Sequence, residues 1–494
     1  MLLPHLMGDP MSKSIFWYDF EATGIDPRRD RPLQVAGVRT DEQLNEIGEP
    51  LNIDCRLAED VLPHPMACLI TGIEPARAQR GLPEAQFMHQ LHEQMAMPGT
   101  CTAGYNNLRY DDEMTRFALY RNYFDPYARE WQGGNSRWDL LDALRAAHAL
   151  RPDGITWPEQ DGFTSLRLEL LTAANGIEHG QAHDALADVR ATIAMARMLK
   201  QAQPRLFDYL YQLRDKRRVS ALIDLQSPLP LVHVSGRFGR ERKGLGLVMP
   251  LGWHPKNRNA VIVWDLAVDP ALLQQLTAEQ LRERLYTRTE DLAPGELRPG
   301  LKLVHINKCP VLAEAKVLRP QDIARLQLDM PLLLARASQL AQWRVGGQGT
   351  LAAIYAETGV GNADREPDAE TLLYGGFTSD RDRQLLPGIR EADAAKLTLA
   401  QWPLQDQRLV DMLPRYRARN FPDSLDAGQR AEWLTYCKQK LNGEAAGAPI
   451  TIAAFMRELR ALSEEADEGQ RVLLQQWQSY VLELAGKLDI DLVI

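Results

Sequence analysis

The apolar run Ile15-Phe16-Trp17-Tyr18 ends in Asp19-Phe20-Glu21, two carboxylates set two residues apart at the end of a β-type segment. Side chains at that spacing on a strand share a face, so Asp19 and Glu21 leave the sheet together. Two anions held side by side are costly unless a cation sits between them. Ala22-Thr23-Gly24 then supplies a turn at which another molecule can approach the backbone closely. A solvated strand end with acids by chance is the plain alternative, so the reading depends on partners elsewhere in the chain.

Two later segments supply such partners. Asn107-Leu108-Arg109-Tyr110-Asp111 begins a helix that continues through Phe117 and Tyr120. Asp111 alone has an ordinary explanation, because an acid in a first helical turn is favoured by the helix dipole. Asp112 is a neighbouring candidate, and the spacing from Tyr110 selects Asp111. The third segment, His183-Asp184-Ala185-Leu186-Ala187-Asp188, leads into a helix with Val189, Ile193, Ala196 and Leu199 on its apolar stripe. Five residues turn through about 500° of helix, so His183 and Asp188 cannot project alike if both are helical. His183 is therefore expected in the preceding loop, where an imidazole above a fixed carboxylate suits a proton-transfer base. Oxygen ligands select Mg²⁺ or Mn²⁺ over zinc. Two such ions about 3.5–4 Å apart stabilise the attacking and leaving oxygens of an in-line displacement at phosphorus.

A chain of 494 residues, 45% of them hydrophobic, exceeds what one core usually supports, so two or three domains are expected. Strand-like runs and interleaved helices over residues 14–203 predict an α/β domain with a mixed central sheet; the helices are expected at Ala85–Met95, Trp138–Leu150, Ser165–Asn175 and Ala185–Lys200. Residues 204–357 read as a small β-barrel-like domain, with strands near Leu231–Val234, Gly246–Val248, Ala260–Trp264 and Lys302–Ile306 and helical insertions at Ala271–Tyr286 and Gln321–Trp343. A linker at 358–367 precedes an all-helical region at 368–494, and residues 1–13 read as a disordered extension.

The net charge of −9 excludes a protein whose whole surface binds nucleic acid. Any cationic groove must be local, and residues 205–260 supply one, with eleven Lys/Arg against four acids. Five scattered cysteines form no metal-ligand spacing or disulfide framework and read as reduced cytoplasmic thiols. No apolar run reaches the roughly 18 residues that span a bilayer, and MLLPHLMGDP is too short for a signal peptide, so a soluble, intracellular protein is expected.

In combination, Asp19 to Gly24, Asn107 to Asp111 and His183 to Asp188 resemble the D-x-E-T-x-G, N-x-x-[FY]-D and H-x-x-x-x-D motifs of the DEDDh exonucleases, with Ala22 in place of the usual Thr. Further stretches, among them Asn135 to Asp142, Gln203 to Leu210, Val304 to Pro310 and Tyr416 to Pro422, resemble the bacterial exodeoxyribonuclease I family. The resemblance implies an RNase H-like exonuclease domain and processive 3′→5′ degradation of single-stranded DNA to 5′-mononucleotides in repair and recombination. It implies two Mg²⁺ ions, replaceable by Mn²⁺, held by Asp19, Glu21, Asp111 and Asp188, with His183 as general base. It also implies substrate contacts from Glu21 and Arg167, a clamp of three domains around the strand, and binding to the acidic C-terminal tail of single-strand DNA-binding protein. A chain that forms its own clamp needs no partner subunit, so a monomer is expected.

A sequence-blind exonuclease needs cations along the phosphates and aromatic faces under the bases. Arg116, Tyr120, Arg121, Tyr123, Tyr127 and Trp131 interleave both types after Asp111. Arg116, Tyr127, Trp131 and Arg145 are the expected DNA contacts, and the clusters Arg214–Arg218 and Arg237–Lys243, with Arg214 and Arg217 foremost, are the expected phosphate track. An RNA exonuclease of the same chemistry and a non-catalytic DNA-binding protein are the rival readings. The extensive chain after Pro204 argues against the first, and the intact carboxylate set against the second.

Overall fold

The computed structural model describes residues 13–180, 184–356 and 367–491. Strand β1 (Ser14–Ala22) organises the first half of the chain. It pairs antiparallel with β2 (Pro32–Thr40), which pairs antiparallel with β3 (Leu51–Asp54). On its other side β1 runs parallel to β4 (Thr100–Gly104), giving the order β3-β2-β1-β4 in the expected mixed sheet. Strand periodicity sorts the residues of β1. Phe16, Tyr18 and Phe20 enter a core with Phe87, Met88 and Leu91 of one helix and Met114 and Ala118 of another. Burying each of these large side chains contributes roughly 1.5–3 kcal/mol. Trp17, Asp19 and Glu21 take the opposite parity, and a register shift at Glu21/Ala22 ends the regular pairing with β2.

The chain divides into two compact units. The first gathers the described residues of Met1–Ser136, His179–Ile193 and Asn362–Ile494; the second consists of Arg137–Glu178 and Ala194–Gly361. In the first unit, α1 (Pro65–Thr71), α2 (Pro75–Arg80), α3 (Glu84–Ala96) and α4 (Asp111–Arg121) surround the sheet. The C-terminal part is helical, as expected, with long helices at Gln407–Asn420, Ala427–Leu441, Ile452–Glu465 and Glu468–Lys487. These pack on the N-terminal part: Leu57, Val61, Leu62, Cys68 and Ile73 share a core with Trp433, Phe455 and Trp477. Buried ions reinforce that junction. Asp60 Oδ2 accepts from Arg419 Nη2 at 2.7 Å and from Lys440 Nζ at 2.6 Å, with its side chain 0% exposed. Burial alone would raise the Asp60 carboxyl, but Arg419 and Lys440 hold it well below the usual range. Arg31 pairs with Glu370 in the same region.

In the second unit, strand β5 (Ser136–Asp139) is followed by α5 (Leu140–Leu150), so Trp138 and Asp139 precede the helix rather than belonging to it. The Asp139 side chain accepts from the Leu141 amide and caps the helix there. A short hairpin, β6 (Glu159–Gln160) and β7 (Phe163–Thr164), precedes α6 (Leu168–Ala174). Helix α7 (Ala185–Ala202) begins in the first unit and ends in the second, and α8 (Pro204–Gln212) and α9 (Lys216–Ala221) follow.

Strands β8 (Leu231–Val234), β9 (Leu245–Trp253), β10 (Ala260–Asp265), β11 (Leu301–His305) and β12 (Val311–Glu314) form an antiparallel sheet in the order β11-β10-β9-β8-β12. Among the described residues this sheet is open rather than closed into a barrel. The insertion expected at Ala271–Tyr286 is two helices, Leu272–Gln275 and Ala278–Tyr286, because Thr277 and Gln280 form a capping box at the second. The insertion expected at Gln321–Trp343 is likewise split into Pro320–Arg325 and Met330–Trp343. Residues 1–12 of the expected extension and 358–366 of the expected linker lie outside the described residues. No described helix is long and apolar enough to cross a membrane.

Candidate active site

Asp19 and Glu21 lie on the face of β1 opposite its aromatic core, and Asp188 reaches them from the first turn of α7. One ligand oxygen from each of the three carboxylates lies within 4.8 Å of the others. The start of α7 is set by Asp184, whose side chain accepts from the Leu186 and Ala187 amides at 3.0 and 3.2 Å. The Asp188 amide then donates to the Asp184 carbonyl at 3.0 Å, closing the first turn.

Asp111 joins the cluster from the start of α4. Its Oδ1 accepts from the backbone N–H of Phe20 at 3.2 Å, and it is 4% exposed. The neighbouring Asp112 faces away, where Tyr18 Oη donates to it at 2.6 Å and Arg129 Nη2 at 2.8 Å. Asp112 is thereby spent on the core. Tyr110 donates its hydroxyl to the Gly24 carbonyl and so ties the turn after β1 to the same segment. Gly24 is needed there by packing: a Cβ would stand 2.6 Å from the Asp30 carboxylate and from the His64 ring.

The electrostatics of the cluster are those of anions short of countercharge. Burial, then the charges of Asp111 and Asp188, pushes the Asp19 carboxyl well above its ordinary value. Burial, then Asp19, Asp188 and Asp184, pushes Glu21 up to about 9, against only a weak opposing pull from Arg77. Carboxylates in this state take up either protons or cations. An all-oxygen donor set, part-buried and converging, fits a divalent metal.

Comparison with known proteins decides the family. The model described as "Exonuclease" matches residues 16–196, the "Exonuclease I SH3-like domain" 214–357 and the "Exonuclease I C-terminal domain" 367–484. Exodeoxyribonuclease I of Escherichia coli (strain K12) is 47% identical over 479 residues, covering 96% of this chain and 99% of that one. The chain belongs to the exodeoxyribonuclease I family. It is an exonuclease, and the family's exonuclease domain implies dependence on a divalent metal. The Haemophilus influenzae exodeoxyribonuclease I is 43% identical over 482 residues, covering 96% of this chain and 99% of that one. Among solved structures, exonuclease I from Methylocaldum szegediense matches with a TM-score of 0.89 at 46% identity, covering 96% of this chain and 99% of that one. A zinc-bound form of the E. coli ExoI–ssDNA complex matches with a TM-score of 0.88 at 44% identity, covering 96% and 100%.

Of the residues assigned to the site from sequence, Asp19, Glu21 and Asp188 converge within 4.8 Å and Asp111 is bonded to the Phe20 amide between them, whereas His183 lies outside the described residues. Sequence reasoning missed His179, whose Nε2 approaches Asp188 Oδ1 at 2.5 Å. It stands nine residues before Asp188, a separation that matches no helix or strand period.

The residues expected to grip DNA differ in their surroundings. Trp131 is 67% exposed, and Tyr127 is half-buried beneath Arg116, whose guanidinium lies 5.5 Å from its ring centroid. Arg116 itself is only 8% exposed in its side chain and pairs with Glu113 and Glu130, each at 2.7 Å. In the second unit, Arg145 pairs with Asp142 and packs beside Gly236 and Gly244. Arg167 is 62% exposed in its side chain and bonds Glu169 at 2.6 Å. Arg214 lies over the Tyr211 ring, 3.6 Å from its centroid, and Arg217 is exposed in the first turn of α9. Arg242, in the second basic cluster, is committed to Asp265 through bonds of 2.6 and 2.9 Å.

Proposed function

We propose that this protein degrades single-stranded DNA processively from its 3′ end, releasing 5′-mononucleotides by two-metal-ion phosphodiester hydrolysis in DNA repair and recombination. The observation that carries the reading is the convergence of Asp19, Glu21 and Asp188, with Asp111 bound beside them to the backbone of β1. Mg²⁺ is the proposed cofactor, with Mn²⁺ able to substitute, because all the donors are oxygens. Bound there, two ions supply Lewis-acid stabilisation of the attacking and leaving oxygens. Asp19, Glu21, Asp111 and Asp188 hold the site open and oriented, and His183 takes the proton of the attacking water.

The chain is proposed to divide at 14–203, 204–357 and 368–494 around a linker at 358–367, a reading supported by family matches at 16–196, 214–357 and 367–484. Arg167, Arg116, Tyr127, Trp131, Arg145, Arg214 and Arg217, with Glu21 at the scissile end, are the proposed substrate contacts. Solved complexes of E. coli exonuclease I with a dA16 oligonucleotide support the choice of polymer. The excess of cations in residues 205–260 also suits an acidic peptide, the proposed partner being the C-terminal tail of single-strand DNA-binding protein. The proposed working form is a cytoplasmic monomer.

A time course on a 5′-labelled single-stranded DNA oligonucleotide, with Mg²⁺ or EDTA and beside duplex and RNA versions, tests the reading. Mg²⁺-dependent shortening of the single-stranded DNA alone is expected. Equal attack on RNA would move the substrate class, and tight binding without cleavage would leave only a binding protein.

A further inference from the structure

Asp188 has a partner that the proposed chemistry does not use. His179 Nε2 lies 2.5 Å from Asp188 Oδ1, with the His179 side chain 10% exposed and that of Asp188 20%. The backbone of Asp188 is already fixed, since its amide donates to Asp184 O at 3.0 Å and Asp184 caps α7. Those bonds set the position of the Cα but not the plane of the carboxylate, because the terminal torsion of an aspartate has a broad, soft profile. A hydrogen bond to one carboxylate oxygen removes that freedom. Oxygens that must meet Asp19 and Glu21 within 4.8 Å gain from having the plane set before a cation arrives.

We infer that His179 is a positioning residue, donating from Nε2 to hold the Asp188 carboxylate in the orientation a divalent cation requires. The inference rests on the metal-site reading of Asp19, Glu21 and Asp188. It gives His179 a task different from the proton transfer proposed for His183, because a nitrogen whose N–H is given to Asp188 cannot at the same time accept a proton from water.

The test is a Mn²⁺ titration of the purified full chain, followed by electron paramagnetic resonance, on the wild type and on His179→Ala, His179→Gln, His179→Asn and Asp188→Asn. Removing a group that orients a metal ligand typically costs about 10- to 100-fold in metal affinity, so His179→Ala is expected to raise the Mn²⁺ dissociation constant by that factor. The glutamine amide reaches about as far as an imidazole Nε2 and is expected to restore most of the affinity, whereas the shorter asparagine is not. Single-stranded DNA binding in EDTA is expected to stay within twofold of wild type, and turnover of His179→Ala is expected to recover at saturating Mn²⁺.

Wild-type Mn²⁺ affinity in His179→Ala would overturn the inference. So would a loss of turnover that saturating Mn²⁺ does not repair, which would put His179 in proton transfer or substrate contact. Should the alanine variant not fold, equal Mn²⁺ affinities in the Gln and Asn variants would overturn it instead. Asp188→Asn separates the two levels. If it too binds Mn²⁺ normally, the metal-site reading has failed; if it alone is impaired, only the role of His179 has.

Discussion

The backbone N–H of Phe20 donates to Asp111 Oδ1 at 3.2 Å, so an amide lying between the two carboxylates of β1 holds a third carboxylate 91 residues further along. Asp111→Asn keeps an acceptor for that amide and removes the charge. The variant is expected to fold, to bind single-stranded DNA in EDTA as the wild type does, and to lose about 10²- to 10³-fold in kcat, the scale of one preorganised electrostatic group. Asp111→Ala also orphans the buried Phe20 amide and is expected to lose about 1–3 kcal/mol of stability. Rate measurement and chemical denaturation of the two variants separate these effects.

The raised Glu21 carboxyl makes stability and metal affinity depend on pH. Below about pH 4.5 Glu21 is protonated in both the folded and unfolded chains and contributes no slope. Between that value and about 9 the folded chain keeps a proton that the unfolded chain has released, so stability without metal falls as pH rises through this window. Metal binding releases the proton, so apparent Mn²⁺ affinity is expected to rise about tenfold or more between pH 6.5 and 8.5. Thermal melts in EDTA should show the decline, with a shallower slope for Glu21→Gln. Identical slopes for the two proteins would remove Glu21 as its source.

Arg129 and Asp112 form an ion pair at 2.8 Å with both side chains 0% exposed, beside the hydroxyl of Tyr18. Removing one partner leaves the other charge buried alone. Arg129→Met is expected to cost about 3–5 kcal/mol, whereas replacing both charges together should cost much less. Denaturant unfolding of the single and double variants measures the difference.

The exposed cations of α9 should act through the phosphate backbone. For a single strand, each phosphate that a protein cation ceases to neutralise reduces the slope of log K against log salt by about 0.7. Arg217→Ala is expected to bind single-stranded DNA more weakly and with a shallower slope, while single-turnover cleavage of bound substrate stays unchanged. Fluorescence anisotropy across a salt series reads both quantities, and an unaltered slope would make Arg217 an ordinary surface residue.

What is legible in the sequence is what short-range periodicity encodes. The shared face of Asp19 and Glu21 follows from a two-residue repeat, and α7 follows from the apolar stripe of Val189, Ile193, Ala196 and Leu199. Strands β3, Leu-Asn-Ile-Asp, and β12, Val-Leu-Ala-Glu, escape sequence reasoning because half of each consists of residues depleted in strands, whereas the equally short β8 is Leu-Val-His-Val. Trp138 reads as helical because its apolar stretch continues into α5, and only the Asp139 cap marks the boundary. The engagement of Arg116 is half visible, since Glu113 stands three residues before it on the helix, whereas Glu130 is brought up by the loop beyond. His179 cannot be found from spacing, because its pairing with Asp188 depends on the path of a loop.

The burial of Asp60 against Lys440 has a consequence for biosynthesis. The two residues are 380 positions apart. At about 5–20 residues per second, a ribosome needs roughly 20 to 75 s to travel from one codon to the other. Throughout that interval Asp60 cannot be buried as an ion with both its partners, so the core that Leu57, Val61 and Leu62 share with Trp433 and Phe455 closes only after residue 440 has been made.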